Sequence, residues 1–195
     1  NVNLPLDTIE ALAWGSNLDW GYNKHPPLSA FVVEFIHNIF GSQDWAFYFT
    51  SQIFVIVAFF YTWKLSEEIF SEKIYSLISL FILEGIYFYN FTTPEFNVNV
   101  CQLPFWAGTA FYYWKSINNN KNLYWLLFGI FSALGFLSKY LFIYLLLAIL
   151  IHFLIIFRNN KNYIIKYCFS VLISLLILTP HFYWLIINDF MTVSY

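Results

Sequence analysis

Charge is scarce in this chain: its 195 residues include nine Lys or Arg and eleven Asp or Glu, for a net charge of -2. So few, scattered cations assemble no basic stripe, which excludes tracking of a nucleic-acid backbone. Cysteine is limited to Cys101 and Cys168, both in apolar runs. The topology set out below puts them near opposite membrane faces, too far apart for disulfide geometry. Seven dispersed glycines make no loop that would cradle the phosphates of a soluble nucleotide. No spacing of His, Cys and carboxylates resembles a metal site, so the sequence names no cofactor and leaves dependence on a divalent metal open.

What fills the chain instead is apolar and aromatic: 60% hydrophobic residues, with 24 Phe, 15 Tyr and 8 Trp, and a mean hydropathy of +0.62. A soluble domain of this size is far less apolar, so the chain reads as an integral membrane protein. It opens at Asn1 without Met or a signal-peptide pattern and reaches Asp7 almost at once, which reads as an N-terminus cut from a longer chain.

A bilayer core takes about 20 mostly apolar residues as helix, fewer when aromatic and cationic residues anchor the ends. Six segments qualify: roughly Trp45 to Leu65, Ile74 to Phe91, Val98 to Trp114, Leu123 to Ser138, Tyr140 to Phe157 and Tyr163 to Tyr183. Leu28 to Phe40 carries Glu34, His37 and Asn38 among its apolar residues and reads as an interfacial helix. The expected fold is therefore all-α, a polytopic transmembrane helical bundle of about six spans with an interfacial helix and an outer-face loop. Residues 1–44 form the loop and interfacial region and residues 45–195 the membrane region.

Sidedness follows from the cations, because Lys and Arg collect in short cytoplasmic loops. Lys64, Lys73, Lys115, Lys121, Arg158, Lys161 and Lys166 all fall in alternate connections. That side is expected to be cytoplasmic. Lys24 and Lys139 fall on the other side, against the bias, and Lys139 sits in a tight turn between two apolar helices, where a bare ammonium is costly unless it snorkels or meets an anion. The outer face thus gathers Asp7, Glu10, Lys24, His25, Glu95, Asn97, Lys139 and Asp189.

Within Asp7-Thr8-Ile9-Glu10 the two carboxylates share a helix face and can divide general-base and positioning roles. Equally, Asp7 can be an N-cap with Glu10 closing a capping box, and spacing alone favours that. In Asn23-Lys24-His25-Pro26-Pro27-Leu28 the prolines stiffen the entry to a helix whose first-turn amides, with a cation and an imidazole before them, suit a phosphate. A rigid loop against lipid headgroups explains the same residues. Trp14, Trp20 and Tyr22 either stack on a sugar or form an interfacial belt. Glu84, inside a span near its outer end, is a functional candidate or a helix-to-helix hydrogen-bonding group. Glu95, Asn97 and Asn99 line the same cavity or cap a helix. His152 reads as packed and hydrogen-bonded, and His37 and Asn38 as the wet face of the interfacial helix.

Together, Asp7-x-x-Glu10-Ala11, Trp14, Asp19-Trp20-Gly21-Tyr22 and Lys24-His25-Pro26-Pro27-Leu28 resemble the first external loop of bacterial GT-C glycosyltransferases of the protein-mannosyltransferase and aminoarabinose-transferase superfamily. Asp44-Trp45-Ala46, Phe96-Asn97-Val98-Asn99, Gly135-Phe136-Leu137-Ser138-Lys139-Tyr140 and Pro180-His181 through Trp184 to Asn188-Asp189-Phe190 continue the likeness in the same order. The resemblance implies a sugar donor on a polyprenyl phosphate, a lipid, glycan or protein acceptor, and chemistry on the non-cytoplasmic face of a bacterial inner membrane. It also implies a catalytic carboxylate in the first loop. The family's motif has adjacent Asp-Glu, and here Glu10 falls on the Glu while Ile9 stands at the Asp. Either Asp7 serves as the base from a neighbouring position or Glu10 takes the role, with Lys24, His25 and Lys139 on the donor phosphate. Trp14, Trp20, Tyr22, Glu84, Glu95, Asn97 and Asn99 are the candidates to line the substrate cavity. A transporter using Glu84 and the proline-containing third and sixth spans, or an inactive relative, are the alternative readings.

Overall fold

The computed structural model describes residues 4–70 and 72–194, and among these the chain is helical, without strands. In chain order the helices are α1 (Leu6–Gly15), α2 (Leu28–Phe40), α3 (Asp44–Ile69), α4 (Lys73–Glu84), α5 (Val98–Asn119), α6 (Asn122–Ser138), α7 (Ile143–Phe157), α8 (Lys161–Ile187) and the short α9 (Met191–Ser194). A π-helical turn, Phe88–Thr92, precedes α5, and a 3-10 turn, Tyr140–Phe142, leads into α7. The interfacial segment and five of the six predicted spans lie on helices close to their expected limits. The remaining one, Ile74 to Phe91, differs: its α-helix ends at Glu84, and after Gly85 the chain resumes as the π turn. A glycine followed by β-branched and aromatic residues, poor helix continuers, accounts for the interruption.

Three helical segments are long and apolar enough to cross a membrane, Asp44–Ile69, Tyr140–Phe157 and Lys161–Ile187, and Leu28–Phe40 and Asn122–Ser138 are shorter apolar helices. Helix α5 packs on α3 and α6, α6 on α8, and α3 on α4, while α1 lies on α2. Small residues permit the closest approach: a Cβ at Gly129 would stand 2.6 Å from the Ser170 carbonyl oxygen, so α6 and α8 meet almost backbone to backbone, as membrane helices do in the absence of a hydrophobic drive. Both α5 and α8 run through their prolines, Pro104 and Pro180, without ending.

Two buried clusters anchor the two ends. Ala11, Val33, Phe47, Phe96, Val100 and Cys101 tie α1 and α2 to α3 and α5. Tyr113, Trp125, Phe128, Ile149 and Phe153 join α5, α6 and α7 at the other end, where Phe153 stacks on Tyr167 at 4.2 Å between ring centres. That second end is the basic one. Lys115 pairs with Glu68 at 2.6 Å and Lys64 with Glu67 at 2.8 Å, and Lys166 donates to the Asn120 carbonyl at 2.5 Å. Two of these contacts, Lys115 with Glu68 and Lys166 with Asn120, tie separate stretches of chain together, while Lys64 with Glu67 lies within α3. Cys101 and Cys168 are both free thiols, and His152 shares a 2.7 Å hydrogen bond with the Tyr113 hydroxyl, as the sequence led us to expect.

Candidate functional site

At the end opposite the basic one, residues far apart in the chain converge, by as much as 170 positions for Tyr22 and Thr192. Helix α1 begins at Leu6 with Pro5 as its cap, and among the described residues it has no side-chain cap hydrogen bond. Proline suits a helix start, since its missing N–H would have had no intrahelical acceptor. Asp7 therefore lies within the first turn and is not the cap, and the capping-box alternative does not form. Glu10 instead takes Lys24, whose ammonium lies 3.1 Å and 3.2 Å from its two carboxylate oxygens.

Helix α1 is held from the α5 side. The Asp7 backbone N–H donates to Glu95 Oε1 at 3.2 Å, and Thr8, fully buried, donates to the Phe96 carbonyl at 3.0 Å. The Asp7 carboxylate itself has no hydrogen-bond partner among the described residues and is exposed. Asn97 caps α5, its side chain accepting from the Asn99 and Val100 amides at 2.9 Å and 3.1 Å. Asn99, in the first turn of α5, accepts from the Lys139 ammonium. Lys139 reaches it because its backbone is extended (φ -162°, ψ 136°) between α6 and the 3-10 turn, with Gly135 leaving room for the Phe142 ring.

The electrostatics tie these groups together. Burial first, then the Lys139 ammonium, hold the His25 imidazole below its usual pKa, while Glu10 and Asp7 oppose the shift. Burial also lowers Lys139, with Asp7 acting against it. Burial, reinforced by the Asp7 carboxylate, raises Glu95. His25 is thus neutral near pH 7, a hydrogen-bonding group more than a cation. Asp7, Glu10, Ala11, Trp14, His25, Ser29, Asn97 and Val98 line a notch.

The rest of the first loop is locked by α8 and α9. The His181 ring, fully buried, gives its Nδ1–H to the Trp20 carbonyl at 2.5 Å. A carbonyl only accepts, so the ring is the Nδ1–H tautomer and Nε2 meets the Tyr140 hydroxyl at 2.8 Å. Thr192 donates to the Tyr22 carbonyl at 2.5 Å, and Gly21 lies flat on the Trp184 ring with no space for a Cβ.

Of the aromatic candidates, Trp14 borders the notch but stacks on Tyr22, with ring centres 5.3 Å apart and 14° between planes. Tyr22 is buried, and its hydroxyl bonds the Trp14 carbonyl at 3.1 Å. Trp20 is 42% exposed and stands edge-on to Phe31. Glu84 is not among the converging residues: it ends α4 on an exposed face, and that helix packs on α3. Sequence reasoning missed Ser29, His181 as the clamp on the first loop, and Thr192. A histidine beside a proline in an apolar run was the one visible signal among these. Among the described residues, no group of three or more His, Cys, Asp or Glu is placed to hold a metal ion.

An all-helical membrane protein with a polar site at one end of the bundle fits the GT-C class, and comparison with known families agrees. The family model described as dolichyl-phosphate-mannose-protein mannosyltransferase matches residues 24–184. The chain belongs to this family and is a membrane glycosyltransferase of the GT-C type. The match takes in Lys24, His25, Asn97, Asn99 and Lys139, whereas α1, with Asp7 and Glu10, lies before its first residue. Searches of curated proteins and of solved structures gave no match.

Proposed function

We propose that the chain transfers a sugar from a polyprenyl-phosphate donor to a hydroxyl or phosphate oxygen of a lipid, glycan or protein acceptor, on the non-cytoplasmic face of a bacterial inner membrane. The observation that carries this reading is the convergence of Asp7, His25 and the Lys139–Asn99 pair at one end of the bundle, from three separate stretches of chain.

In this reaction the acceptor oxygen forms a bond to the anomeric carbon as its proton passes to the Asp7 carboxylate. The bond from that carbon to the phosphate oxygen breaks, its electron pair leaves with the phosphate, and the anomeric configuration inverts. Negative charge grows on the phosphate, so a cation fixed beside it favours the transition state over the ground state. Lys139 supplies that charge, His25 a neutral donor, and Lys24 a charge already shared with Glu10.

Asp7 is favoured over Glu10 as the base because the Glu10 oxygens are both occupied by Lys24, while the Asp7 carboxylate is exposed and without a hydrogen-bond partner among the described residues. Glu10 then positions Lys24. The transporter alternative has less support, since α5 and α8 are continuous through Pro104 and Pro180 and Glu84 lies apart from the cluster.

The test is incubation of the full-length protein in vesicles with labelled polyprenyl-phosphate sugars, dolichyl-phosphate mannose among them. Label appearing on an acceptor supports transfer. Movement of donor across the bilayer without turnover would point to a transporter, and neither result to an inactive relative.

A further inference from the structure

Ser29 is fully buried, at 0% exposure, yet its hydroxyl has no hydrogen-bond partner among the described residues. Buried hydroxyls are ordinarily satisfied, and a serine in a helix usually finds the carbonyl one turn back. Here that carbonyl belongs to His25 and already accepts from the Tyr22 amide at 3.1 Å. Ser76, Thr109, Ser116 and Ser132 are also buried without partners among the described residues, but Ser29 alone of these borders the notch, beside Asp7, Glu10, Trp14, His25 and Asn97.

The notch has a cavity volume of about 10 Å³, enough for a single oxygen-sized group and no more. Its polar lining is suited to a hydroxyl: carboxylates accept a hydrogen bond, and serine and asparagine can donate one. An anionic oxygen fits it poorly, with two carboxylates on the wall.

We infer that Ser29 is a binding residue for the acceptor: the notch is a slot for the acceptor's attacking hydroxyl, held by the Ser29 Oγ–H while its own proton faces Asp7. This rests on the transfer reaction proposed above and adds to it the acceptor class, a neutral hydroxyl in preference to a phosphate oxygen. The donor sugar and its phosphate then lie outside the slot, toward Lys139.

The experiment compares wild-type and Ser29→Ala full-length proteins, each in vesicles with labelled dolichyl-phosphate mannose and either a threonine-bearing peptide or octyl mannoside as the hydroxyl acceptor. Removing an unsatisfied buried hydroxyl is neutral or stabilising, so Ser29→Ala unfolds no earlier than wild type on heating. Its kcat/KM for the acceptor falls about five- to tenfold, as expected for one lost neutral hydrogen bond, while the KM for donor is unchanged. Unaltered transfer overturns the inference, and so does a lower thermal stability, which would make Ser29 a packing residue. Ser29→Cys, which keeps the volume but is a weak donor, stays impaired. Full recovery in that variant would assign the effect to volume and overturn the inference. If wild type transfers nothing, the proposed function fails separately, and equilibrium binding of labelled octyl mannoside decides the slot: binding lost in Ser29→Ala supports it, and equal binding or none overturns it.

Discussion

Replacing Asp7 by Asn and Glu10 by Gln separates two carboxylates that differ chiefly in what surrounds them. The Glu10 carboxylate is held by the Lys24 ammonium at 3.1 Å and 3.2 Å, with side chains 31% and 35% exposed. Discounted for that exposure, the pair contributes about 0.2–1 kcal/mol, so Glu10→Gln should lower thermal stability slightly and reduce transfer through a displaced Lys24. The Asp7 carboxylate makes no such contact among the described residues, and Asp7→Asn should leave the melting temperature unchanged. Its cost falls on the chemistry. Loss of a general base typically removes about 10²- to 10⁴-fold of rate, or about 3–5 kcal/mol of transition-state stabilisation. The assay is initial-rate transfer by purified full-length variants in vesicles, with melting followed in parallel. A Glu10→Gln enzyme more impaired than Asp7→Asn, or an Asp7→Asn enzyme within threefold of wild type, would refute the assignment of the base.

Three further outcomes follow from the same geometry. Lys139→Ala should reduce kcat/KM for the lipid-linked donor on the order of 10²-fold, since the cation nearest Asn99 is lost; normal donor kinetics would remove it from the site. His25 has a pKa below the ordinary histidine value, so unfolding takes up a proton in the window between the two. Stability should fall as pH drops through that window, and His25→Asn should flatten the slope in melting experiments; an identical slope would contradict it. His181→Ala leaves the Trp20 carbonyl and Tyr140 hydroxyl without their ring partner and should cost about 2–4 kcal/mol, read as an earlier thermal transition together with proteolytic nicking of residues 16–23.

The membrane character and the helical segments were legible because they follow from local composition. In hydrocarbon every backbone amide must find an internal partner, so long apolar runs have little choice but helix. The one break, at Gly85, depends on how a short weak helix ends, and hydropathy alone does not register that. Part of the basic character of one end was legible too: Lys64, Lys115 and Lys166, which the sequence places in connections on one side, each meet a partner, Glu68 in the case of Lys115.

The site was legible only in outline. Asp7, Glu10, Lys24, His25 and Lys139 could be named from their unusual positions, but the three-residue spacing of Asp7 and Glu10 by itself favoured a capping box. What decided between them was Pro5 at the helix start and the arrival of Lys24, fourteen residues on, at Glu10. Lys139 meets Asn99, and Ser29 borders the notch, through the packing of α5 on α6 and of α1 on α2. By itself the sequence determined an apolar helical bundle with a polar, carboxylate-bearing end, because burial of backbone and exclusion of charge act residue by residue. Which charge meets which, and which hydroxyl is left unpaired, was decided only by the tertiary structure, because those pairings depend on helix register and crossing distances that no local pattern encodes.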